Sequence, residues 1–168
     1  MAYRLRKSAG FLLDSKGFDR MIENLSKEKR TPVLKAAMTK GAVIIRDSVR
    51  GKYSASKPNS DLYKGIVKYV YKSGEGAIVR RFYTKAGKSF QDKKSPLWRS
   101  YILNFWEKGT IQRLTKGKFG SRYPRQRLNR GALKGIRFFS KGVSSSKNKA
   151  YRNMENFVLR QIAKQARK

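Results

Sequence analysis

The side chains able to carry acid–base, nucleophilic or metal chemistry are scarce in this sequence. Its 168 residues include no histidine and no cysteine. That removes disulfides and thiolate or imidazole metal sites, and it excludes Ser–His and Cys–His nucleophile pairs. Carboxylates remain, but only ten Asp and Glu stand against 42 Lys and Arg. Glu107 closes the aromatic run Tyr101-Ile102-Leu103-Asn104-Phe105-Trp106, and no second acid lies near it in sequence. Acid–base catalysis by carboxylates calls for a second group beside the first. The expected role of Glu107 is therefore structural, paired with a Lys or Arg of the same subunit or the next. Gly74 and Gly76 bracket Glu75. A phosphate-cradling loop would open a helix; these glycines separate two alternating apolar runs, which is the setting of a hairpin turn.

Cations dominate instead. The formal net charge is +32, and a lone folded chain with that charge repels itself. Nucleic acid, an acidic protein or an anionic membrane surface would offset it. The densest run is a long basic loop over 111–130, with Arg113, Lys116, Lys118, Arg122, Arg125, Arg127 and Arg130, and no acid occurs between Glu107 and Glu155. These cations suit phosphates, whose counterions they would release, and the interleaved Phe119 and Tyr123 suit stacking on bases. An arm docked on an acidic protein surface has the same composition, as does a solvated loop.

The elements that must position these residues follow from periodicity. Residues 1–16 read as a basic lead-in. They begin like the n-region of a signal peptide, but the apolar run Phe11-Leu12-Leu13 stops at Asp14, far short of an h-region. Residues 17–168 read as a single domain. Phe18, Met21, Ile22 and Leu25 have helical spacing, placing a short helix over 17–26. Thr31-Pro32 is a helix start, a capping residue followed by proline at the first helical position. Leu34, Ala37, Met38, Gly41, Ile44, Ile45 and Val49 form one stripe of a long helix ending near Arg50. Gly41 in mid-helix costs ~1 kcal/mol and suggests a close neighbour.

A loop over 51–60 and a helical turn over 61–65 lead to a hairpin. Its strands are 67–72, alternating Tyr and Lys around one buried face, and 77–83. The alternation also fits a nucleic-acid platform, although a half-buried strand is commoner. After a polar loop over 84–95, residues 96–106 read as a helix entering the core, with Gly109 as its terminator. Ile136-Arg137-Phe138-Phe139 is a candidate last strand. Ser144-Ser145-Ser146 leads into a terminal helix with the stripe Ala150, Met154, Phe157, Val158 and Ile162, and its cationic end suits the helix dipole. The fold class is α+β, a small antiparallel sheet with two long helices on one face.

This order, with Asp61-Leu62-Tyr63-Lys64-Gly65-Ile66 and the aromatic run ending in Glu107-Lys108-Gly109-Thr110, resembles the tail-completion, or head–tail joining, proteins of tailed phages. Leu62 and Ile66 match the family's first motif, with Gly65 in place of its usual serine. Glu107, Gly109 and Thr110 match its Glu-x-Gly-Thr, and Phe138 and Phe139 match its third segment without the usual preceding proline. The resemblance spans roughly residues 18 to 166 and implies a structural virion protein. Such a subunit joins a homo-oligomeric ring between portal or connector and tail, around the DNA channel, and is made in the host bacterial cytoplasm. It implies no catalytic residue, no cofactor and no membrane partner. The long basic loop is a departure, because strong phosphate contacts would hinder DNA passage.

Composition alone also fits a stand-alone nucleic-acid-binding protein. No helix-turn-helix, zinc-finger or RNA-recognition signature is present. A phosphodiester enzyme would need histidine or clustered acids to hold a metal.

Overall fold

The computed structural model describes residues 10–14, 19–23, 27–57, 61–81, 102–110 and 131–167. Strand β1 (Gly10–Asp14) is followed by helices α1 (Asp19–Ile22) and α2 (Lys27–Ser56), then by a 3-10 turn (Asp61–Gly65). Strands β2 (Val67–Val70) and β3 (Gly76–Arg80) come next, then helix α3 (Ile102–Lys108), the two-residue strands β4 (Gly109–Thr110) and β5 (Leu133–Lys134), and helix α4 (Phe138–Ala166). The class is α+β. One antiparallel sheet has the order β1-β3-β2, and β4 pairs with β5 in a second. Helix α2 packs on all three strands of the larger sheet, and α4 packs along α2.

The 30-residue helix α2 is held by its stripe. Leu34, Ala37, Met38, Ala42, Ile45, Val49 and Tyr53 are all buried, and they recur at the three- and four-residue steps that place side chains on one helix face. The helix starts one turn before the expected Thr31-Pro32 and runs past the expected end at Arg50. Pro32, the sixth residue of the helix, withdraws one amide from the hydrogen-bond ladder close to its start. Gly51 does not end the helix because Tyr53, fully buried, continues the stripe and meets Phe138 edge-on at 5.0 Å. Burying an aromatic side chain stabilises by about 1.5–3 kcal/mol, more than the ~1 kcal/mol a helical glycine costs.

The lead-in expected over 1–16 is corrected in part. Residues 10–14 form an edge strand, with Leu13 paired to Ala77 and wholly buried. The expected hairpin forms with shorter strands than 67–72 and 77–83, residues 82 and 83 lying outside the described residues, and its turn packs Gly74, at φ 80°, against the first turns of α2.

The expected last strand over 136–139 is overturned, because Phe138 and Phe139 open α4 instead. A four-residue apolar run does not separate a strand from the first turn of a buried helix. Of the predicted α4 stripe, Ala150, Met154 and Val158 are fully buried, and Phe157 and Ile162 flank the core. The neighbour expected at Gly41 is Met154, whose side chain fills the space a Cβ would take. A second close approach lies along the same helix pair. A Cβ on Gly142 would sit 2.6 Å from the Val49 Cα, and the Gly142 carbonyl accepts hydrogen bonds from the hydroxyls of Ser48 and Ser146 at 3.0 and 2.7 Å.

Candidate functional site: a clasp at the base of the basic segment

A 29-residue helix presents several amide N–H groups at its start that no residue of the helix can satisfy. At α4 the residue in the capping position is Arg137, left-handed at φ 51° and ψ 37°, and its side chain makes no capping bond. Glu107 supplies the cap from another element. Its Oε2 accepts the Phe139 N–H at 2.7 Å, and its Oε1 accepts the Ser140 N–H at 3.1 Å and the Ser140 hydroxyl at 2.5 Å. The carboxylate is buried, and its negative charge sits at the positive pole of the helix.

The residues after Glu107 complete the clasp. The Ile136 and Arg137 amides donate to the carbonyls of Trp106 and Glu107. Gly109 adopts φ 80° and ends α3, as its position predicts. A Cβ there would lie 2.5 Å from the Leu133 carbonyl oxygen and 2.8 Å from the Gly135 amide, so two backbones meet at glycine on both sides. The Thr110 hydroxyl accepts the Leu133 N–H at 3.1 Å. Glu107, Gly109 and Thr110 thus weld the end of α3 to the start of α4.

The first motif is architectural too. Ile66 is fully buried and Leu62 packs against the core. The Ile66 carbonyl accepts two bonds from the Arg50 guanidinium, at 3.1 and 2.8 Å, which ties α2 to the 3-10 turn. Burial lowers the affinity of Arg50 for its proton, and the nearby Arg46 charge adds to this.

Beside the clasp is an open cleft lined by Arg81, Glu107, Lys108, Arg137 and Ser140. Arg81 is buried, donates to Asn104 Oδ1 at 3.0 Å and lies over the Phe139 ring at 5.2 Å. Desolvation lowers its pKa below the ordinary arginine value, and the Glu107 charge opposes that shift. Among the described residues Glu107 finds its hydrogen bonds at a helix start, where sequence reasoning anticipated an ion pair. The charges of Arg81 and Glu107 act on one another across the cleft.

The predicted contact cations Arg113, Lys116, Lys118, Arg122, Arg125, Arg127 and Arg130 lie outside the described residues. Their point of attachment is described. Thr110 pairs with Leu133 in an antiparallel ladder, so the chain leaves for 111–130 and returns at one place. A second segment, 82–101, begins just after Arg81 and ends just before α3, and it carries five Lys and Arg against one Asp. The bond from Arg81 to Asn104 joins its two ends. The charge pattern of 82–101 was visible in the sequence; that it roots in the same corner as 111–130 was not.

Among the described residues no three potential metal ligands come together, and no helix is long and apolar enough to cross a membrane. Comparison of the chain with family models, curated proteins and solved structures gives no match.

Proposed function

We propose that this chain is a structural subunit of the head–tail neck of a tailed phage. In this reading it forms a ring that joins portal or connector to tail around the DNA channel. The observation that carries the reading is the clasp. Every residue in the Glu107-Lys108-Gly109-Thr110 segment on which the resemblance rests has an architectural task, except exposed Lys108. The Glu107 carboxylate accepts three hydrogen bonds from the start of α4, which occupy lone pairs a general base would need. A motif devoted to holding two basic segments at one corner suits an assembly protein whose contacts are made by those segments. The partners are then neighbouring copies, the portal or connector and tail proteins, and packaged DNA where a segment reaches it. The place of action is the virion neck.

The second reading, a stand-alone nucleic-acid-binding protein, is favoured by the net charge of +32. The two differ in stoichiometry and in salt response. Solution mass, measured with and without short duplex DNA at low and moderate salt, tests them. A defined ring that needs no DNA supports the neck subunit. A monomer that binds DNA with a steep salt slope supports the second reading and overturns the first.

A further inference from the structure

Among the described residues no strand lies beyond β1 or β2 at the two edges of the larger sheet. β1 and β2 each pair only with β3 among those residues, so within the described structure the outer amides and carbonyls of each have no ladder partner. Sheet proteins usually protect such edges with lysine, proline, a bulge or a covering element. In a chain where 42 of 168 residues are Lys or Arg, residues 8–15, which contain β1, include none and no proline. The face turned away from α2 is apolar at both edges as well. Leu12 and Tyr69 both stand opposite Ile78 across the ladders, forming one row. Leu12 is 44% exposed and Tyr69 52%, and the Tyr69 ring meets Tyr71 edge-on at 5.7 Å.

We propose that these edges join neighbouring copies, β1 of one against β2 of the next. The occupant follows from the topology. Both strands run antiparallel to β3, so they are parallel to each other and present different edges. A β1-to-β2 contact is heterologous and propagates around a rotation axis, whereas β1-to-β1 or β2-to-β2 contacts would close as a two-fold pair. Strands remain parallel across the joint only if that axis runs roughly along them. The row Leu12–Ile78–Tyr69 then continues into the next copy as a cross-strand apolar ladder. Two highly cationic chains meet where β1 contributes no cation and β2 contributes only Lys68.

The inference rests on the ring reading, and cysteine cross-linking separates the two. The chain has no native cysteine, so Leu12→Cys and Tyr69→Cys report cleanly. Within one molecule the two positions lie two strand spacings apart, about 9.5 Å, beyond disulfide reach. At moderate salt, which screens the charge, the oxidised double variant is expected to form a ladder of multimers. The two single variants mixed are expected to give dimers and nothing larger, and each alone to stay uncrosslinked. Dimers from either single variant alone would overturn the heterologous joint. A ring by mass that forms no cross-link would overturn this joint and leave the neck reading standing. A chain that stays monomeric and uncrosslinked at the highest concentration it reaches in solution would overturn both.

Discussion

Glu107 caps a helix that begins 31 residues after it, and this long-range job explains why an acid survives there among cations. Glu107→Ala leaves two amides at the start of α4 without their acceptor. A loss of about 2 kcal/mol is expected, seen as a melting temperature lower by about 4–8 °C. Glu107→Gln keeps an acceptor and should lose less. An alanine variant that melts like the parent would refute the cap. Gly109→Val combines a β-branched side chain at positive φ with a Cβ 2.5 Å from a backbone oxygen, and should abolish cooperative folding. Unchanged melting of that variant would contradict both the φ and the contact. In sequence, Gly109 was legible as a helix terminator because glycine after an amphipathic run has that meaning by itself. The partners of Glu107 were not legible, since backbone amides leave no mark in the residue types that carry them.

Elements were read best where one periodic stripe was long. The cores of α2 and α4 and the hairpin emerged because their buried residues repeat at 3.6 or 2. The boundaries did not, since Pro32 lies inside the helix near its start and the burial of Tyr53 overrides the local meaning of Gly51. Strand β1 was hidden by the cations around it, which made five residues look like part of a tail. If β1 is integral, Leu13→Ala should cost about 2–5 kcal/mol, and denaturant titration will show it. The helix pair offers a coupling test. Gly41→Ala gains helix propensity of about 1 kcal/mol but collides with Met154. It should destabilise the parent and become neutral or stabilising in a Met154→Ala background. Additive effects in that double-mutant cycle would mean the two side chains do not compete.

At the scale of the whole molecule, charge is the organising quantity. The triple variant Arg122→Glu, Arg125→Glu, Arg127→Glu should lose attachment to its partner while circular dichroism and melting stay as in the parent. Loss of helical signal would place that segment in the core. If duplex DNA is the partner, milder replacement of the same three residues by Gln should make the salt slope of binding shallower by about one unit per cation. An acidic protein partner would leave no such DNA slope to change.

The ladder of Gly109-Thr110 with Leu133-Lys134 has an evolutionary consequence. It holds Thr110 and Leu133, which flank residues 111–132, one strand spacing apart. The entropy of closing a chain between fixed ends grows only with the logarithm of its length, so doubling the insert would cost about 0.6 kcal/mol. An insert that packs on nothing else would leave the body of the protein nearly indifferent to its length. On the proposed reading the clasp would then serve as a socket, in which a segment that meets the partner could diverge while the fold that carries it stays unchanged.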